Sequence, residues 1–379
     1  MPPMDLDALP TPSALVDLDT VERNTRAMAA HAKRLGVRLR PHVKTHKCIE
    51  AARLQVCDHF GGITVSTLAE ARAFAAAGFL DITYAVSPSP QRAGALAALA
   101  RTVTRLALVV DDPATVDALA AAATAQGVRL GVFVKIDSGL HRAGLAADHP
   151  SLPALVARMV QHPQLEFRGL LTHAGQAYHC RNRDQVRQVA RAERDTLVTA
   201  AERLRRDGFA VPELSVGSTP TVLAAEDLAG VTEVRPGNYV FFDAFQVALG
   251  VCTLADCAFT VLATVIGRYP ERGTVLLDAG ALALSKDEGA RHIHRRPSYG
   301  TVLSAAGDRV LPHLRVVSLT QEHAVVRLGR GAPWDALPVG ARVRIVPNHA
   351  CLAAAMFDRF HVVRGTTLVG EWRPVRGWE

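Results

Sequence analysis

The sequence predicts an α/β chain built from a (β/α)8 TIM-type barrel and a smaller antiparallel β domain. Three observations carry this prediction. Eight short β-rich runs alternate with Ala-, Arg- and Leu-rich helical stretches from about residue 21 to about residue 247. Beyond about residue 250 the long helical patterns stop, and strand-like segments separated by Gly, Pro and Asp take over. Finally, 379 residues exceed the usual single-domain size, and 49% hydrophobic residues can fill a substantial core.

In chain order, the strand-like runs of the first part are 36–44, 61–67, 81–86, 105–110, 128–137, 165–173, 213–216 and 234–242. Amphipathic stretches such as 68–78, 113–127 and 183–208 connect them, which is the expectation for a barrel; an open doubly wound sheet is the alternative. The later runs 258–266, 274–277, 322–328 and 341–346 read as antiparallel strands, and the early run 14–18 adds a strand to either part. The predicted division is a barrel over 19–247, with 1–18 and 248–379 forming the β domain.

The net charge of +7 raises the question of nucleic acid. Arginine is scattered, however, aromatic residues make up only 5%, and the densest basic group is Arg38, Arg40, Lys44 and Lys47, interleaved with apolar and His positions. Such a balance suits small anionic substrates and predicts no nucleic-acid partner. Six cysteines, at 48, 57, 180, 252, 257 and 351, do not make a disulfide framework in a chain of this length. Residues 1–10 lack a basic start followed by an apolar stretch, and no apolar run approaches ~18 residues. The expectation is a cytoplasmic protein without membrane contact.

In a (β/α)8 barrel the active site forms at the C-terminal ends of the strands. The unusual polar residues fall at those ends: Lys44, Ser66 and Thr67, Asp137 with Arg142, His173, Gly217-Ser218-Thr219, and Arg235 with Gly237 and Asn238. In Arg40-Pro-His-Val-Lys-Thr-His-Lys47, an extended backbone puts His42, Lys44 and His46 on one side. A lysine so placed suits carbonyl chemistry, whereas the plainer reading is a solvated basic edge. Ser215-Val-Gly-Ser-Thr-Pro-Thr221 follows an apolar run with Gly, Ser and Thr, a composition that cradles phosphate or merely caps a helix. Arg235-Pro-Gly-Asn-Tyr239 offers a second such loop from the next strand, and phosphate sites after strands seven and eight recur in barrels. In Pro347-Asn-His-Ala-Cys351, His349 and Cys351 share a face if extended and suit a soft divalent ion such as Zn²⁺. A pair falls short of the three protein ligands usual for catalytic zinc, and a lone His-x-Cys is otherwise structural.

These motifs together resemble the D-serine dehydratase and D-threonine aldolase group, relatives of bacterial alanine racemase. The resemblance runs through Thr11-Pro-Ser13, the Arg40–Lys47 stretch, Ser66-Thr-Leu-Ala-Glu70, Val134-Lys-Ile-Asp-Ser-Gly-Leu-His-Arg142 and Thr172-His-Ala-Gly-Gln-Ala-Tyr178. It continues through the 217–221 loop, Arg235-Pro-Gly-Asn-Tyr-Val-Phe-Phe-Asp243, Asp278-Ala-Gly280, Leu284-Ser-Lys286, Glu322-His323 and Pro347–Cys351. It implies an alanine racemase-type barrel, pyridoxal 5′-phosphate (PLP) linked to Lys44, and Arg142 at the cofactor's phenolic oxygen. It also implies that Gly217, Ser218, Thr219, Gly237, Asn238 and Tyr239 hold the cofactor, with His173 and Tyr178 lining the substrate pocket. His349 and Cys351 look like the metal pair of the D-serine and D-threo-3-hydroxyaspartate dehydratases, with Zn²⁺ the first metal and Mn²⁺ the second. D-Threonine aldolases tend to carry His-x-Asp there, and the following Leu352-Ala-Ala-Ala matches neither subgroup well.

The implied reaction is β-elimination from a small 3-hydroxy-D-amino acid, giving a 2-oxo acid and ammonia, with Lys44 as base at Cα and the metal acting on the β-hydroxyl. The rivals are retro-aldol cleavage by a D-threonine aldolase and, from another class, a non-catalytic PLP-binding protein. A homodimer is implied on the same ground.

Overall fold

A computed structural model describes residues 4–57 and 59–379. They cluster into two compact units: one comprises Ala27–Gly237 with Val375–Glu379, the other the residues up to Arg26 with Asn238–Pro374.

The first unit is an eight-stranded parallel sheet. Its strands neighbour one another in the order Arg38–Leu39, Glu233–Val234, Glu213–Val216, Leu165–Leu171, Leu130–Lys135, Arg105–Val110, Asp81–Tyr84 and Ile63–Val65. A parallel bridge between His42 and Thr64 joins the two edges, so the sheet closes on itself and the barrel holds over the open sheet. The central strands, such as Arg105–Val110 and Leu130–Lys135, are nearly continuous apolar runs, as a parallel sheet covered on its outer face requires. Helices Leu68–Ala76, Pro113–Gln126 and Arg183–Arg206 supply that cover and start on side-chain caps from Thr67, Asp112 and Asn182.

The barrel interior is partly ionic. Arg40, fully buried, donates to Glu233 at 2.7 Å and to Asp81 at 2.7 Å. Arg38 and Arg105 both reach Glu213, at 2.7 and 2.8 Å. Lys47 pairs with Glu70 at 2.8 Å. The apparent basic cluster of the sequence is therefore largely neutralised within the fold. The C-terminal segment is pinned here as well, with Leu68 donating to the Trp378 carbonyl and Val375 to that of Lys47.

The second unit is a ten-stranded sheet organised on the long strand Phe259–Tyr269, which pairs antiparallel with Ser13–Asp17, Thr274–Leu277 and Arg342–Val346. The early run thus belongs to the β unit. The sheet is mixed, because Phe360–Arg364 runs parallel to Ser13–Asp17. Phe241, Phe259 and Phe360 form its aromatic core, with ring centroids 5.5 to 6.0 Å apart. Thr11 donates to Asp278 at 2.5 Å, joining two of the singled-out motifs. No helix among the described residues is long and apolar enough to cross a membrane.

Candidate active site

Lys44 does not extend a strand. The regular ladder of the first barrel strand ends at Leu39, a single bridge follows at His42, and residues Val43–Thr45 form a 3₁₀ turn that begins on His42. The period-two alternation expected for 40–47 therefore fails, and His46 parts company with His42. It is buried, takes the Cys48 N–H on Nδ1 at 2.9 Å and bonds Gln55 through Nε2 at 2.9 Å. Burial lowers its pKa from 6.5 to about 4, against the opposing bonds to Gln55 and Cys48. Between those values the unfolded chain binds a proton at His46 that the folded chain excludes, so folding stability rises with pH across this window and is lost as pH falls through it. The urea midpoint is expected to drop between about pH 7 and about pH 4.5, and to drop less in His46→Gln.

His42 stays beside Lys44. Its Nδ1 accepts the Lys44 N–H at 3.3 Å and its Nε2 meets the Ser66 hydroxyl at 3.3 Å. His173, two residues beyond strand Leu165–Leu171, bonds the Gly217 carbonyl through Nδ1 at 2.7 Å, which leaves Nε2 unprotonated. Burial, then the charges of Lys44, Arg142 and Arg235, lowers His173 to about 3 despite the bond to Gly217. Burial and the charges of Lys44 and Arg235 likewise put His42 well below 6.5. Both rings are neutral, and the shared influences place Lys44, His42, His173, Arg142 and Arg235 around one region of the barrel rim.

Arg142 is carried by a loop shaped by Asp137, whose carboxylate takes the N–H groups of Gly139 and His141 at 2.9 and 3.1 Å. Arg235 is buried and donates to Ser215 at 2.6 Å and to the Thr172 carbonyl. Ser218 caps helix Thr219–Ala224 in a capping box with Thr221, so its hydroxyl is already engaged. Tyr178 is half-buried in the 3₁₀ turn Gly175–His179 that follows His173.

The second unit holds the other predicted pair. Strand Arg342–Val346 ends before His349, which is the N-cap of helix Ala350–Ala355, with Cys351 in its first turn. The pair is thus brought together by a helix start instead of an extended face, and a side-chain hydrogen bond links the two residues. Asp287 accepts His349 Nδ1 at 2.9 Å, so Nε2 is the nitrogen that a metal would use. Burial would lower the His349 pKa, yet the neighbouring Cys351 and Asp287 raise it to about 11. Asp243 braces the turn by accepting the Ala350 N–H at 3.0 Å and the Asn238 amide at 2.7 Å. Asn238 also reaches Cys351 Sγ at 3.8 Å, while its buried Oδ1 has no hydrogen-bond partner. Tyr239 beside it is fully buried.

With this geometry in hand, the comparisons with known proteins are decisive. The model of the alanine racemase N-terminal domain matches residues 16–244, and that of a putative serine dehydratase domain matches residues 258–363. The D-threo-3-hydroxyaspartate dehydratase of Delftia sp. (strain HT23) is 41% identical over 98% of each chain. The chain belongs to the alanine racemase-like D-serine dehydratase family. The solved Delftia structure superposes with a TM-score of 0.92 over 99% of this chain and 100% of that one, and a C-to-A variant of that enzyme has been solved in a metal-free form. The D-serine dehydratase of Dictyostelium discoideum is 34% identical over 99% of this chain and 98% of its own. A D-threonine aldolase from an Arthrobacter species is 31% identical over 96% and 91%.

The family implies PLP and a metal, and the residues present fit both. For PLP, the rim gathers Lys44, Arg142 and Arg235 around two neutral imidazoles, an environment suited to a phosphorylated anion. Two glycines keep the backbone bare there. A Cβ on Gly217 would lie 2.8 Å from the Arg235 nitrogen, and one on Gly237 would lie 2.8 Å from the His42 carbonyl oxygen. For a metal, one imidazole nitrogen and one thiolate form a soft donor set whose imidazole is oriented by a carboxylate. No third His, Cys, Asp or Glu converges on them among the described residues, so water or substrate would complete the shell.

Sequence reading of this D-serine dehydratase relative missed two residues. Lys135 is buried at the end of strand Leu130–Lys135, where burial and the nearby Arg142 lower its pKa against the pull of Asp111. Asp287 follows directly on the Leu284-Ser-Lys286 motif, and its own turn, closed by the Gly289 N–H at 2.7 Å, was the available signal. Asp287→Asn is expected to weaken Zn²⁺ binding by about 10- to 100-fold, measured by competition with a chromophoric chelator, and to leave PLP binding unchanged.

Proposed function

We propose that this chain is a PLP- and divalent-metal-dependent lyase that converts a 3-hydroxy-D-amino acid into a 2-oxo acid and ammonia. The substrate class comprises D-threo-3-hydroxyaspartate, D-serine and D-threonine, the compounds named for its relatives. The observation that carries this reading is the oriented nitrogen–sulfur pair: His349 and Cys351, with Asp287 fixing the imidazole. Soft donors favour Zn²⁺ over Mn²⁺, which prefers oxygen.

In the reaction Lys44 binds PLP and its amine accepts the Cα proton of the substrate. Bound PLP supplies an electron sink for the electrons left at Cα. His42 and His173, both neutral, flank Lys44 without contributing a competing cation. Arg142, the 217–219 loop and the 237–239 loop would hold the cofactor, and Tyr178 would line the substrate pocket. A divalent ion on His349 and Cys351 supplies Lewis acidity toward the β-hydroxyl, an otherwise poor leaving group. Loss of water gives an enamine, which hydrolyses to the 2-oxo acid and ammonia. Six cysteines that make no disulfide framework suit a reducing compartment such as the cytoplasm, and we propose a homodimer.

Purified protein with PLP and Zn²⁺ is expected to show a visible cofactor band and to release ammonia from D-threo-3-hydroxyaspartate and D-serine. A coloured protein inert on every 3-hydroxy-D-amino acid would instead be a PLP carrier, and a colourless one would remove PLP from the account.

A further inference from the structure

Glu193 lies on helix Arg183–Arg206, on the outer layer of the barrel unit, and takes no part in the chemistry above. The residue is nonetheless only 2% exposed. One oxygen, Oε1, accepts two backbone N–H groups, from Ala174 at 2.9 Å and from Gly217 at 3.1 Å. The Thr221 side chain also bonds the carboxyl. These partners belong to two different loops. Ala174 directly follows His173, and Gly217 opens the 217–219 loop that runs into helix Thr219–Ala224.

A second bond closes the arrangement. The Gly217 carbonyl receives His173 Nδ1 at 2.7 Å, so both polar groups of Gly217 are held, one by Glu193 and one by His173. Gly217 has a φ of +131°, and a Cβ there would lie 2.8 Å from the Arg235 nitrogen, so the peptide has little room to shift. Burying a carboxylate is costly, and an apolar side chain would fill the same volume more cheaply if packing were the only need. The gain from a carboxylate is directional: a single atom sets the spacing between the His173 loop and the 217–219 loop.

We propose that Glu193 is a positioning residue for PLP, holding the phosphate loop and the His173 ring in register through the backbone of Ala174 and Gly217. This rests on the assignment of PLP to the barrel rim. Losing the acceptor strands two buried N–H groups, and each turns toward whatever partner remains. The loop then no longer presents one fixed shape to the cofactor's phosphate, while the metal pair, which lies in the other unit, keeps its affinity.

The test titrates the apoprotein with PLP, following the visible band, for wild type, Glu193→Gln, Glu193→Ala and Glu193→Met. Zn²⁺ affinity and the thermal midpoint of each apoprotein are measured alongside. Glu193→Ala and Glu193→Met are expected to bind PLP at least about 10-fold more weakly with Zn²⁺ affinity unchanged. Glu193→Gln, whose amide oxygen can accept both N–H groups, is expected to stay within about 3-fold of wild type. Wild-type PLP affinity in a folded Ala or Met variant overturns the proposal. Equal loss in the Gln variant overturns it too, since charge and not the shared acceptor would then matter. If neither apolar variant folds, Glu193 is a folding element and the proposal fails. Wild type that binds no PLP would instead refute the cofactor assignment itself.

Discussion

Lys44→Ala is expected to lose turnover by at least about 10⁴-fold, because one substitution removes both the covalent anchor of the cofactor and the base at Cα. The thermal midpoint should change little, since Lys44 is exposed on the 3₁₀ turn Val43–Thr45 and contributes no core packing. A chemical readout separates this from a general loss of function. Borohydride treatment of the wild-type holoenzyme, followed by peptide mass mapping, should fix the cofactor on the peptide containing Lys44. Two other lysines lie near enough to make the test discriminating: Lys47, paired with Glu70, and Lys135, buried at the end of its strand. A label on either of them, or substantial activity in Lys44→Ala, would contradict the assignment.

The second large effect concerns the metal pair. Cys351→Ala leaves His349 as a lone side-chain ligand, since no further His, Cys, Asp or Glu converges there among the described residues. Lewis-acid assistance to the leaving hydroxyl represents several kcal/mol of transition-state stabilisation, so elimination should fall by about 10³-fold or more. PLP should still bind and give a visible band, because the substitution leaves Lys44, the residue that anchors the cofactor, in place. Prolonged chelation of the wild type should give the same phenotype, and Zn²⁺ should reverse it in the wild type only. A Cys351→Ala variant as active as wild type, or a chelator without effect, would show that the pair is structural.

Much of this arrangement was legible from local pattern. Seven of the eight strands lie within their predicted runs, because buried parallel strands leave apolar stretches that end where polar rim residues begin; the eighth, Glu233–Val234, meets only the first residue of the run 234–242, where Asn238–Val240 form a 3₁₀ turn. His173 and Gly217 stand just past the ends of strands Leu165–Leu171 and Glu213–Val216 for the same reason. The Lys44 segment follows the first strand as expected but takes another shape: after the bridge at His42 a 3₁₀ turn sends His46 inward to Gln55. The His349–Cys351 pair was recognised on an extended geometry that proved to be a helix start. Ser218 also caps helix Thr219–Ala224, and the Asn238 amide also meets Asp243 and Cys351, contacts that the loop compositions did not announce. The roles of Asp287 and Glu193 could not be read because their partners are distant in sequence: 62 residues separate Asp287 from His349, and 24 separate Glu193 from Gly217. No periodicity reports a contact of that kind.

The central claim is elimination, and D-threonine tests it in a single tube because it can also undergo retro-aldol cleavage. The holoenzyme with Zn²⁺ should convert D-threonine to 2-oxobutyrate and ammonia in equal amounts, and chelation should stop both. Glycine and acetaldehyde in place of those products would make the chain an aldolase and contradict the reading of Cys351 as the mark of a dehydratase.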